Sequence, residues 1–219
     1  MNLLHLDASA RPQSVSRELG AEFAAAYRES DPTTSYVHRD LSRDPVPHID
    51  AAWTEICDTL MCEGITDLHR LHEGARTPAQ LKAWSVVQPL LDEVIAADVI
   101  LIGTPMYNFS VPSALKAWID QVTFPRMSLA DRRLVVVGAR GGDYRPGAPR
   151  APFDHQVSYL RDFFAGHFAV SDATFIVAEL ANARVDPHLR ERLAEHEQSV
   201  AETIEAARDV ARVMAGGRP

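Results

Sequence analysis

Short runs of large apolar residues alternate along the chain with longer stretches in which apolar positions return every three or four residues. Leu3-Leu4-His5-Leu6 opens as a buried strand and stops at Asp7-Ala8-Ser9. Leu19, Phe23, Ala26 and Tyr27 then recur at helical spacing, and Ser35-Tyr36-Val37-His38 gives a weaker strand signal. The strongest strand runs from Asp98 to Gly103, a block of consecutive large apolar residues closed by Gly103 and Pro105. A helix from about Ser113 to Val122 places Leu115, Trp118, Ile119 and Val122 on one face. Leu134 to Val137 is another buried strand, ending at Gly138 and the Gly141-Gly142 pair. Asp154 to Gly166 reads as a helix, and Ala173 to Val177 completes the strands. Leu189, Leu193, His196, Val200, Ile204, Ala207, Ala211 and Met214 predict one long amphipathic helix at the end. The stretch from Asp44 to Thr77, with Pro45, Pro47, Cys57 and Cys62, is the least regular and reads as an excursion from the sheet.

Strands that are apolar throughout and separated by helices imply a parallel sheet covered on both faces. Five of them predict an α/β, doubly wound sheet in the order 2-1-3-4-5. A length of 219 residues favours a single domain over 1–219. The composition, 46% apolar and 24% charged, is that of a globular protein with its own core. Lys and Arg number 22 against 30 Asp and Glu, and the resulting net charge of −8 disfavours a nucleic-acid partner. The longest apolar run, Val94 to Ile102, is broken by Asp98 and too short to span a bilayer, so no membrane partner is expected. The N-terminus lacks a signal-peptide pattern, and two cysteines make no disulfide scaffold, so a cytoplasmic setting is expected.

In such a sheet, ligands bind beyond the carboxyl ends of the strands. After the first strand, Ser9-Ala-Arg11-Pro-Gln-Ser14-Val15-Ser16 leads directly into a helix. Three hydroxyls, one guanidinium and the free amides of a helix N-terminus suit a phosphate, although Ser14 or Ser16 acting only as a cap explains the same residues. No Gly-x-Gly-x-x-Gly and no Walker lysine pattern occurs here. After the third strand, Thr104-Pro-Met106-Tyr107-Asn108-Phe109-Ser-Val-Pro112 is too apolar for an ordinary exposed loop. It suits a flat conjugated ring, or else a turn packed beneath a neighbouring loop or a second subunit. After the fourth strand, Gly138-Ala-Arg140-Gly141-Gly142-Asp-Tyr144 allows a ligand close to the main chain, or is a plain glycine turn with a solvated arginine. Together the three loops describe a flavin mononucleotide (FMN) site.

At these residues the chain resembles the FMN-dependent NADH azoreductases, a branch of the flavodoxin-like quinone reductases. The resemblance rests on Ser9 with Ser14-Val15-Ser16, on Arg39-Asp-Leu41 and Pro45-Val-Pro47 through Asp50, on Thr104 to Phe109 continuing to Leu115-Lys116, and on Arg140-Gly141-Gly142. It implies a flavodoxin-like homodimer with one FMN per subunit and an active site built partly from the partner. The implied activity is NADH (or NADPH) oxidation followed by reduction of a quinone, an azo compound or another small aromatic substrate. Ser9, Arg11, Ser14, Val15 and Ser16 are then expected to hold the phosphate and ribityl chain. Met106, Tyr107, Asn108 and Phe109 would contact the isoalloxazine, and Arg140, Gly141 and Gly142 its pyrimidine side. Arg140 is the expected catalytic charge, stabilising negative charge on the reduced ring, and Tyr144 the expected proton donor. An electron carrier with no substrate of its own, or a biosynthetic tailoring reductase on the same fold, is the alternative reading.

The chain departs from the family pattern in the short segment Thr123 to Asp131, where a longer loop usually ends in a capping aromatic. Residues Cys57 to Arg76 look expanded and are expected to replace that wall of the substrate pocket. Cys57 and Cys62 with His69 and His72 match no usual zinc spacing, so no metal site is expected. His69 and His72 read as a solvated helix face, His5 and His38 as hydrogen-bonded sheet residues, and Trp118 as core or subunit interface. Glu191, Glu195, Glu202 and Glu205 read as the wet side of the last helix.

Overall fold

The computed structural model describes residues 1–216. Its five strands, β1 (Asn2–Asp7), β2 (Ser35–Asp40), β3 (Val99–Pro105), β4 (Arg133–Ala139) and β5 (Ala173–Ala178), pair in parallel in the order β2-β1-β3-β4-β5. This is the order expected from the sequence. Register along the centre pairs Leu6 with Ile102 and Ile102 with Val136, so side chains from neighbouring strands stack into layers.

Both faces of the central strands are dry because successive residues feed different cores. Leu4, Leu6, Ile100, Ile102, Leu134 and Val136 face one side, where they meet the helices α2 (Ala51–Glu63), α3 (Pro78–Ala96), α4 (Ser113–Val122) and α5 (His155–Phe168). Leu3, Val99, Leu101, Val135 and Val137 face the other, beneath α1 (Val15–Ser30) and α6 (Leu193–Ala215). β3 and β4 are buried at every position, whereas the edge strand β2 keeps mostly exposed or half-buried ones, which accounts for its weaker apolar signal.

Three parts of the sequence reading are corrected. The segment from Asp44 to Thr77 is more regular than its prolines suggest. Asp50 caps α2, which ends at Gly64 in the left-handed conformation, and a 3-10 turn covers Leu68–Gly74. α3 lies where no helix was assigned; its start is written in Thr77-Pro78-Ala79-Gln80, a reciprocal capping box, while Pro89 within the helix obscures the pattern. The last helix begins at Leu193, because Leu189 belongs to a separate 3-10 turn over Pro187–Arg192 started by Asp186. Trp118 is fully buried in the core, and His69 and His72 are exposed on their 3-10 turn. No helix among the described residues is long and apolar enough to cross a membrane.

Candidate active site

The carboxyl ends of β1, β3, β4 and β5 open onto a cavity of about 760 Å³. Of the residues expected to bind the cofactor, it collects Ser9, Arg11, Ser14 and Val15 from the first loop, Met106 to Phe109 from the second, and Gly141, Gly142 and Tyr144 from the third. Arg140 and Ser16 do not line it.

Ser14 caps α1, accepting from the Arg17 amide at 3.3 Å, so the modest reading of this serine holds alongside its place on the cavity wall. The Arg17 and Glu18 amides reach Ser14, which leaves those of Val15 and Ser16 without an acceptor in the helix, and Val15 lines the cavity. Ser16 is fully buried, its Oγ 3.3 Å from that of Ser14. Behind this loop sits a charge network centred on the buried Asp7. Arg17 donates to both oxygens of Asp40 at 2.8 Å, to the Ser9 carbonyl at 2.7 Å and to Asp7 at 3.4 Å. The other oxygen contacts of Asp7 are His38 Nε2 at 2.9 Å and His5 Nε2 at 3.7 Å, and His5 Nδ1 is 2.9 Å from the Tyr36 hydroxyl. Burial pushes the Asp7 carboxyl up, but the His38 hydrogen bond, the His5 ring and the Arg17 charge outweigh it and hold it at about 2. His5 and His38 are thus hydrogen-bonded sheet residues, as expected.

The second loop makes a tight turn in which Tyr107 and Ser110 exchange backbone hydrogen bonds at 3.0 Å. Asn108 (φ 49°) and Phe109 (φ 68°) both occupy the left-handed region. Asn tolerates this, but Phe does not, and the turn is held by the His155 amide donating to the Phe109 carbonyl at 3.1 Å. The strained turn lifts Phe109 to 44% exposure at the cavity edge, with Phe153 at 5.5 Å and Tyr144 at 6.5 Å between ring centres.

In the third loop, the main chain of Gly141 and Gly142 lines the cavity together with Tyr144. A Cβ on Gly141 would lie 2.6 Å from the Asn182 side-chain nitrogen, so any larger residue there has to displace that side chain. The Arg140 guanidinium is turned away into the protein, donating to Asp154 at 2.6 Å and Glu179 at 3.0 Å beside the Tyr144 ring. The expectation that Arg140 supplies charge to the ring is therefore corrected: two carboxylates already claim it. Glu179 in turn accepts from the Tyr144 amide at 3.0 Å, and burial raises its carboxyl despite the arginine. Arg140 thus ties the β4 loop to the end of β5 and, through Asp154, to the start of α5.

Sequence reasoning missed Arg150, Asn182 and Arg184, which also line the cavity. The sheet order was the available signal, since the loop after β5 leaves from the same edge as those after β1, β3 and β4. No residue of 57–76 or 123–131 lines this cavity. Those segments meet elsewhere: Cys57 lies with Trp53, Thr123 and Phe124 in a separate apolar groove against α4 and α5. Burial pushes the Cys57 thiol up to about 12, leaving it unreactive at neutral pH.

The residues present suit FMN on grounds of this structure alone: helix amides and Arg11 at one end, an exposed aromatic turn in the middle, and a glycine main chain at the other. The model of the family described by a flavodoxin-like fold matches residues 1–204. A protein from Nocardia farcinica named FMN-dependent NADH:quinone oxidoreductase is 65% identical, with 94% of this chain and 95% of that one aligned. One of the same name from a Parafrankia species is 36% identical over 95% of this chain and 97% of that one. Among solved structures, an azoreductase from Bacillus anthracis superposes with a TM-score of 0.79 at 24% identity, covering 97% of this chain and 99% of that one, which supports the fold. Sequence, sheet order and cavity agree, and the chain belongs to the flavodoxin-like family of FMN-dependent NADH:quinone oxidoreductases.

Proposed function

We propose that this protein is an FMN-dependent oxidoreductase that takes a hydride from NADH, or NADPH, and passes two electrons to a quinone or azo-type aromatic acceptor. The observation that carries the reading is the meeting of a phosphate-suited helix start, an aromatic turn and a glycine edge around one cavity. FMN, when bound, carries the electron pair between donor and acceptor. The chain's residues do the rest. Ser9, Ser14 and the first-turn amides of α1, with Arg11, hold the phosphate; Ser16 supports Ser14 from behind. Met106, Tyr107, Asn108 and Phe109 carry the ring. The main chain of Gly141 and Gly142 offers its amides where negative charge gathers in the reduced form, and Arg140 keeps that main chain in place. Tyr144 lines the cavity with a hydroxyl that bonds to no other described residue, which suits it to donate a proton to the acceptor oxygen. For a quinone the balance is quinone + NADH + H⁺ → hydroquinone + NAD⁺: NADH supplies a hydride, which is two electrons and one proton, and the second proton comes from Tyr144 or solvent.

The reading also includes a single domain over 1–219, a cytoplasmic setting and a homodimer. The apolar groove lined by Ile49, Trp53, Ile119, Phe124, Tyr159 and Phe163 supports the dimer, since such surface is rarely left to water. Reconstitution tests the core of the proposal. The purified protein should bind FMN stoichiometrically, lose its yellow colour on addition of NADH, and recover it with menadione. A colourless protein that takes up no FMN overturns it.

A further inference from the structure

Away from the cavity, the face of β1 and β2 beneath α1 carries a polar cluster that the proposed function leaves unused. His5 and Asp7 alternate along β1 to the same face, and the strand register sets His38 of β2 directly beside His5. Among the described residues this is the one trio of metal-ligating side chains whose ligand atoms converge, all within 4.8 Å of one another. No spacing along the chain announces it, because only the pairing of the two strands brings the three together.

Two atoms at its centre are orphans. His5 Nε2 and Asp7 Oδ1 are buried and make no hydrogen bond, and they face each other at 3.7 Å, too far apart to form one. The Tyr36 hydroxyl, 2.9 Å from His5 Nδ1, can accept from it, which leaves a lone pair on Nε2 aimed at the carboxylate. Two buried lone pairs set against each other are unfavourable unless a positive charge lies between them. Both atoms also border space kept open by glycine. A Cβ on Gly20 of α1 would stand 2.4 Å from Nε2, and one on Gly103 of β3 would stand 2.8 Å from Oδ1. Ligands held about 2.1 Å from a tetrahedral ion stand roughly 3.4 Å apart, close to the 3.7 Å between these two atoms.

His38 completes the set. Its Nε2 is 2.9 Å from the other Asp7 oxygen, and its side chain, 40% exposed at the edge of the sheet, opens a route from solvent. Arg17 leaves Asp7 with charge to spare: its fork is taken by Asp40 at 2.8 Å, and its contact with Asp7 is the longer one at 3.4 Å.

We propose that His5 Nε2, Asp7 Oδ1 and His38 Nε2 form a binding site for a divalent transition-metal ion of the zinc type, with water in the fourth position. Two imidazoles and one carboxylate are a zinc ligand set, and imidazole discriminates against magnesium and calcium. The ion ties the edge strand β2 to β1. Through Asp7 and Arg17 it also stands behind the loop that carries Ser9. The inference is independent of the flavin reading.

The test is calorimetric titration of the purified protein with zinc chloride after EDTA treatment and dialysis. One ion should bind per chain, and a millimolar excess of Mg²⁺ should not displace it. In ¹⁵N NMR spectra the Nε2 signals of His5 and His38 should move on zinc binding. His38→Gln, at the exposed member where folding is least at risk, should weaken binding at least about tenfold, since losing even a supporting group costs that much. The His69→Gln/His72→Gln double variant should bind as the unaltered protein does. Failure of the unaltered protein to bind zinc overturns the inference, as does binding that survives His38→Gln undiminished or leaves both Nε2 signals in place. Binding lost with His69 and His72 puts the ion elsewhere and overturns it too. Displacement by magnesium does the same, since carboxylates rather than imidazoles would then hold the metal.

Discussion

The two ends of the cavity are organised alike and poised differently. At the β1 end, Arg17 binds Asp7 and Asp40 and holds the Ser9 carbonyl; at the β4 end, Arg140 binds Asp154 and Glu179, and Glu179 holds the Tyr144 amide. In each case an arginine spent on carboxylates, half-buried at position 17 and buried at 140, fixes a loop whose other surface meets the ligand. The difference lies in the acids. Asp7 has two histidines and an arginine around it and is held at about 2, so it stays charged. Glu179 has one arginine, and burial wins, pushing its carboxyl up. Burial of a charge is tolerable where partners are plentiful and marginal where they are few. The phosphate end is thereby a fixed ionic frame, and the ring end one that can take up a proton.

Removing each arginine would break the comparison most directly. Arg17→Leu leaves Asp7 buried without its guanidinium and should cost about 3 kcal/mol in urea unfolding, with a large fall in FMN affinity read by fluorescence. Arg140→Gln should cost less, about 2 kcal/mol, because Glu179 can be neutralised instead of remaining as a stranded charge. That outcome carries a sign. With its folded-state pKa raised, Glu179 binds a proton more tightly in the folded protein, so stability is lost as pH rises through that pKa. The Arg140→Gln deficit should therefore be smaller at pH 5 than at pH 8; a pH-independent deficit would show that Glu179 does not respond.

The opposite slope belongs to Asp7. Its depressed pKa contributes stability that is present above the unfolded value of 3.8 and is lost as pH falls toward about 2. From that shift the contribution is about 2 kcal/mol, and Asp7→Asn should flatten the acid limb of the unfolding profile over that window. The smallest effect is expected between the two ends. Asn108→Gly relieves a left-handed residue and should stabilise the fold by at most about 0.5 kcal/mol in thermal melts. Destabilisation there would mean that the Asn108 side chain supports the turn.

The linear order of residues determined the strands and three of the four loops that build the cavity, whereas the order β2-β1-β3-β4-β5 was reached only as the simplest winding and is shown by the pairing of the strands. Fully buried strands need continuous apolar runs, and β3 and β4 have them. Loops that must admit a ligand need unusual residues, and Met106 to Phe109 and Gly141-Gly142 are unusual wherever they are read. Only the tertiary structure decided what each polar side chain does. Arg140 and Arg150 both follow β4 and carry the same charge, yet Glu179 and Asp154, distant in the chain or across a loop, claim the first and leave the second open to the cavity. Asp7, Arg17 and Asp40 likewise become one network only when β1, α1 and β2 are brought together. Apolar burial is written in local pattern because it follows the period of each element. The task of a charge depends on which opposite charges the fold sets beside it, and that information is not local.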